Sequence, residues 1–114
     1  MSTPSAVTYA SFYDFYDGPE WRGDQLAMYR RLAAEAGPSI LELGCGTGIV
    51  TLDLARSGHC ITGLDIDDDM LAVAARKLDA EPPDVRSRVR LVQADMKDFQ
   101  LDRQFDMVFV ASNT

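Results

Sequence analysis

The segment Leu41-Glu42-Leu43-Gly44-Cys45-Gly46-Thr47-Gly48 sets glycines at every second position directly after a short apolar run. Glycine lets the backbone turn sharply and approach a ligand with no Cβ in the way. A helix following such a loop aims its free N–H groups at the same spot. The pattern therefore reads as a ligand-binding loop rather than a simple turn. Glu42 adds a carboxylate just before it, which would repel a pyrophosphate and attract a cation. The dinucleotide fingerprint G-x-G-x-x-G places its third glycine where this chain has Ile49. Asp65 closes the next apolar run, 17 residues after Gly48. A carboxylate at a strand end can accept both hydroxyls of a ribose. It could also cap the following helix, but Asp67 suits that task. Cys45 has no histidine base nearby, since the one histidine, His59, falls in a helix-to-strand turn. It reads as a small residue beneath a ligand rather than a nucleophile. No His and Cys cluster stands at metal spacing, so no metal is expected.

These residues need strands that end together and helices that start there. Ser39–Leu43, Cys60–Leu64, Val89–Ala94 and Phe105–Ala111 are short apolar runs and read as four strands. The last is nearly all apolar, as in a strand buried on both faces. Helices are expected over Thr47–Ser57 and from Asp67 to about Leu78, with Asp67, Asp68 and Asp69 at the positive end of the second helix dipole. Pro82-Pro83 forbids its continuation. Upstream, Tyr9, Phe12, Tyr13 and Tyr16 share a helical face, and Gly18-Pro19 breaks that helix. Asp24 is the expected N-cap of a further helix to Ala36, with Leu26, Tyr29, Leu32 and Ala36 on one face. Gly37-Pro38 stops it. Strands alternating with helices imply a parallel sheet with right-handed crossovers.

With 114 residues the chain makes one domain. Its 46% hydrophobic and 25% charged residues are those of a soluble globular protein. No apolar run reaches the roughly 18 residues of a membrane span, and Met1–Thr8 lacks the basic and apolar regions of a secretory signal. Cys45 and Cys60 are too few for a disulfide framework and fit a reducing, cytoplasmic compartment. The net charge of −7 disfavours a polyanionic partner, so no nucleic acid is expected. Arg86, Arg88 and Arg90 alternate as a basic stripe on one strand-like face, read as solvated.

S-adenosylmethionine brings a sulfonium and an ammonium with one carboxylate, and its charge suits Glu42 better than that of NAD. Glu42-Leu43-Gly44-Cys45-Gly46-Thr47-Gly48 resembles motif I of class I S-adenosylmethionine-dependent methyltransferases. The resemblance continues through Leu64-Asp65-Ile66, Asp95-Met96 and Phe105–Asn113, in order and over nearly the whole chain. It implies an α/β, Rossmann-like three-layer sandwich with a truncated parallel sheet ordered 3-2-1-4. One domain would span 1–114, with a helical lid segment over 1–37 and a βαβαββ core over 38–114. It implies that Gly44, Gly46, Gly48 and Cys45 back the methionine part of the cofactor. Asp65 would hold the ribose, Ile66 would lie against the adenine, Asp95 would accept from its amino group, and the Met96 N–H would meet a ring nitrogen. Ser112 and Asn113 would line the transfer site. Tyr13 would cover the cofactor and Arg22 would bind its carboxylate, as aromatic and arginine residues do in related small-molecule methyltransferases.

Family members usually continue with three more strands, so the resemblance covers the cofactor half. The expected reaction is methyl transfer from S-adenosylmethionine to a small-molecule acceptor, with S-adenosylhomocysteine as product and no assigned catalytic base. The rival readings are a cofactor-binding module without turnover and an NAD-dependent oxidoreductase. The fourth strand, unguarded by proline or lysine, is expected to recruit a second copy through its open edge.

Overall fold

The computed structural model describes residues 19–101 and 104–110, with side chains from residue 23 onward. The expectations on Tyr9–Tyr16, including Tyr13, and on Ser112 and Asn113 fall outside these residues, as do the side chains of Trp21 and Arg22.

Helix α1 runs over Pro19–Ala36. Proline suits a first helical position because its φ is already helical and its missing N–H needs no partner there. Pro19 thus stands in the first turn of this helix instead of acting only as a breaker, and Asp24 lies inside the helix instead of capping it. Ala33 is buried and Leu26 and Tyr29 are half-buried, whereas Leu32 and Ala36 are exposed. The inward stripe therefore steps from Leu26 to Tyr29 to Ala33, a helical period that the expected stripe through Leu32 and Ala36 missed. Gly37 ends the helix at φ 141°, donating its N–H to the Ala33 carbonyl at 3.1 Å. A Cβ there would stand 2.7 Å from the Asp106 carboxylate. That carboxylate accepts the Ser39 N–H at 2.9 Å and so pins the start of the sheet.

Strand β1, Ser39–Leu43, is followed by α2, Ile49–Arg56, and β2, Cys60–Asp65. Next come α3, Asp68–Asp79, the short α4, Pro83–Arg86, β3, Val89–Gln93, and β4, Met107–Phe109. The sheet is parallel in the order β3-β2-β1-β4, as the resemblance implied. Leu43 pairs with Leu64 and Glu42 with Phe109, so β1 is paired on both edges and its middle is buried. Ile40, Ile61 and Val89 lie in register across the sheet and meet Ala33, Leu54, Ala55 and Val85 from the helices. This core joins the sheet to the helical layer on one face. Tyr29 stacks on Phe109 with ring centroids 4.9 Å apart, joining α1 to β4. Arg30 donates to both Asp53 carboxylate oxygens at 2.7 and 2.6 Å, tying α1 to α2.

Three further expectations change. Pro82-Pro83 both stops α3 and opens α4, which puts Val85 into the core. Arg86, Arg88 and Arg90 do not share a face. Arg86 ends α4 and reaches the Glu81 carbonyl, Arg88 donates to the Ala55 carbonyl at the end of α2, and Arg90 lies within β3. The helix before Ser87 breaks the alternation that the spacing suggested. Finally, β4 is shorter than Phe105–Ala111 and is not buried on both faces. Val108 is 54% exposed and Val110 44%, because among the described residues β4 pairs only with β1.

Candidate cofactor site

The carboxyl ends of β1, β2 and β3 converge, and the glycine loop lies over them. Gly44, Gly46 and Gly48 all have left-handed φ, at 69°, 57° and 85°, which a side chain would strain. The Gly44 and Cys45 N–H groups donate to the Leu64 carbonyl at 2.7 and 3.0 Å, holding the loop across β2. Gly48 is the N-cap of α2, and a Cβ on it would crowd Ala74 of α3 at 3.1 Å. Gly46 is different: nothing lies within 4 Å of the place its Cβ would take. Its bare backbone faces open space, as a surface for close ligand approach requires.

Asp65 is the hub of the site. Its carboxylate accepts the Gly46 N–H at 2.8 Å and the Asp67 N–H at 2.9 Å. These two bonds orient it from the loop and from the chain beyond β2. Oriented in this way, it keeps acceptor capacity for outside hydroxyls, since an ionised carboxylate offers about four acceptor sites. Helix capping is not its task. Asp67 caps α3, accepting from Asp69 and Met70 at 2.9 and 3.2 Å, as expected. Ile66, beside Asp65, is 63% exposed. Ala94 donates to the Asp65 carbonyl at 3.1 Å and brings Asp95 and Met96 next to it. Asp95 is exposed and accepts the Lys97 N–H at 2.9 Å, and Met96 is 38% exposed. Two exposed apolar side chains thus stand beside the half-buried Asp65 and exposed Asp95 carboxylates at one sheet end, an arrangement suited to a flat ring joined to a polar sugar.

Glu42 was expected to offer a negative charge. It is instead fully buried on the helix side of β1, with Thr51 of α2 donating to it at 2.6 Å. Burial, with a further contribution from the Asp65 charge and opposed by the Thr51 bond, pushes its carboxyl up to about 8. Near neutral pH it therefore holds its proton. Cys45 is buried too, with burial first and then Glu42 and Asp65 pushing its thiol well above the ordinary range. That leaves no thiolate for nucleophilic chemistry. A Cβ on Gly63 of β2 would meet the Cys45 side chain at 3.0 Å and the Thr51 hydroxyl at 3.1 Å. Thr51 and Gly63 are thus two site-forming residues that sequence reasoning did not single out. The only sequence signals were a hydroxyl one turn into the helix after the loop and a glycine inside a strand.

The structure brings together Glu42, Gly44, Cys45, Gly46, Gly48, Asp65, Ile66, Asp95 and Met96. Among the described residues no group of three or more His, Cys, Asp or Glu could hold a metal ion.

Residues 40–114 match the family model described as a methyltransferase domain. The dTDP-3-amino-3,6-dideoxy-alpha-D-glucopyranose N,N-dimethyltransferase of Streptomyces fradiae is 39% identical over 85 residues, 75% of this chain and 30% of its own length. The magnesium-protoporphyrin O-methyltransferase of Rhodobacter capsulatus is 38% identical over 72 residues, 63% of this chain and 30% of its own length. Among solved structures, the glycopeptide N-methyltransferase MtfA complexed with S-adenosylmethionine superposes with a TM-score of 0.68 at 34% identity. That match covers 75% of this chain and 35% of MtfA. The chain thus spans about a third of the length of these relatives.

Proposed function

We propose that this chain, which belongs to the methyltransferase-domain family, binds S-adenosylmethionine and forms the cofactor-holding part of an enzyme that methylates a small molecule. The observation that carries this reading is the Asp65 carboxylate. It is held by the Gly46 and Asp67 N–H groups beside the open backbone of the glycine loop. MtfA relatives complexed with S-adenosylmethionine and S-adenosylhomocysteine support the choice of ligand.

Asp65 receives the ribose hydroxyls, and Gly44 and Gly46 leave room for the methionine part along the loop. Gly48 and Cys45 support the loop from behind. Ile66 lies against the adenine, Asp95 accepts from its amino group, and the Met96 N–H meets a ring nitrogen. Arg22 binds the cofactor carboxylate, Tyr13 covers the cofactor, and Ser112 borders the transfer site. Bound S-adenosylmethionine supplies an electrophilic methyl group on a cationic sulfur. Transfer then depends on in-line approach in a water-poor pocket more than on proton transfer by the protein. Small-molecule acceptors are supported by the amino-sugar and porphyrin substrates that the names of two relatives give. A cytoplasmic setting is supported by the two free cysteines; among the described residues no helix is long and apolar enough to cross a membrane. The open β4 edge, beside exposed Val108 and Val110, supports self-association.

Calorimetric titration with S-adenosylmethionine, S-adenosylhomocysteine and NAD tests the reading. Tighter binding of the first two is expected, and tighter binding of NAD overturns it.

A further inference from the structure

Glu42 is an isolated buried acid at the root of the loop, and its neighbours act on it in opposite directions. From α2 the Thr51 hydroxyl donates at 2.6 Å and favours the ionised form. From β2 the Asp65 carboxylate acts on it as a like charge and favours the protonated form. The Tyr29 phenol of α1 and the Cys45 thiol of the loop lie near it too; both are pushed upward first by burial and then by the Glu42 charge. Asp65 stands where the ribose is placed above, and its field reaches Glu42. A charge of opposite sign in the same mouth acts on Glu42 in the opposite direction. S-adenosylmethionine carries such a charge on its sulfur, whereas S-adenosylhomocysteine has a neutral thioether.

Resting on the cofactor reading above, we propose that Glu42 distinguishes cofactor from product by ionisation, losing a proton to solvent when S-adenosylmethionine binds and regaining it after methyl transfer. The proton leaves the Glu42 carboxyl as the sulfonium arrives, so the buried anion is compensated by the ligand. Methyl transfer removes the cationic centre, and the buried anion, no longer compensated, takes up a proton from solvent. The device favours the loaded cofactor over the spent one, and more so as pH rises. In the ligand-free chain Glu42 is protonated below about 8. Binding coupled to release of one proton therefore strengthens by up to about tenfold per pH unit below that point and levels off above it.

Calorimetry of the chain near neutral pH, in two buffers of different ionisation heat, counts the protons released. S-adenosylmethionine should release close to one proton more from the wild type than from Glu42→Gln, whereas S-adenosylhomocysteine should show no such difference. The cofactor's own amino group titrates alike in both proteins, so the difference isolates Glu42. In Thr51→Val, loss of the hydroxyl should move the levelling-off of S-adenosylmethionine affinity to higher pH, a readout independent of whether Glu42→Gln folds. Equal proton release from wild type and Glu42→Gln, or an unmoved profile in Thr51→Val, overturns the inference while both ligands still bind. A wild-type chain that binds neither ligand overturns the functional reading, and this inference with it.

Discussion

At the scale of single residues, Asp65 and Glu42 are both acids at strand ends, yet their surroundings divide their roles. Asp65 is at the site mouth with two backbone donors, and Glu42 is in the core with one hydroxyl. Asp65→Ala should weaken S-adenosylmethionine binding by about 1.5–3 kcal/mol, the scale of charged hydrogen bonds. That is roughly a ten- to hundredfold rise in Kd, measurable by calorimetry on a variant shown to be folded by circular dichroism. An unchanged Kd would leave Asp65 with only the loop to hold. Glu42 makes a prediction about stability. Its folded value, about 8, lies above the ordinary 4.5, so the folded state binds the proton more tightly than the unfolded chain. The resulting stability is fully present below 4.5 and is lost as pH rises from there through about 8. Urea midpoints of the wild type should fall across this window relative to those of Glu42→Gln, which has nothing to ionise. Parallel profiles would show that Glu42 is not protonated in the core.

At the scale of elements, the helix starts and stops carry the geometry of the site. The Asp67 carboxylate satisfies two free N–H groups at the start of α3, directly after the Asp65-Ile66 pair. Asp67→Ala should cost about 1 kcal/mol, the usual loss for an N-cap, read as a lower denaturation midpoint. The size of the loss tests the cap, and a midpoint within error of wild type would refute it. Gly37 ends α1 for two separate reasons, its φ of 141° and the Asp106 carboxylate 2.7 Å from any Cβ. Gly37→Ala should therefore destabilise the chain by more than about 1 kcal/mol, because alanine fits neither that φ nor the space beside Asp106. It should also loosen the Ser39–Asp106 pin at the far end of the sheet from the loop. Hydrogen exchange at the Ser39 amide would report that loosening directly. Wild-type protection there would show that the pin does not depend on Gly37.

For the whole molecule, β4 is the exposed flank of the described sheet. Val108 and Val110 present apolar surface beside an edge whose backbone groups lie free of strand pairing among the described residues. Self-association through that edge should appear as a mass that rises with concentration in sedimentation experiments. Val108→Lys should suppress it, because a charge on an edge strand opposes pairing with a second chain. A constant monomer mass at high concentration in the wild type would refute the proposed contact.

Most of the architecture was legible in the order of residues because it rests on local rules. Apolar runs between breakers marked the four strands, Asp67 marked the start of α3, and Gly37 marked the end of α1. The parallel order and the gathering of Gly46, Asp65 and Asp95 at one sheet end followed from strand-helix alternation and the family resemblance. What remained hidden depends on distances between segments. Pro19 opens a helix, and Pro82-Pro83 opens another, because proline is compatible with a first turn as well as with a break. Spacing alone does not choose between them. The arginines at 86, 88 and 90 looked like one face because their alternation was read as strand. Above all, Glu42 looked like an open charge. Only the packed fold removes it from water and sets Thr51 against it. Charge in a sequence is formal, and burial decides whether it is expressed.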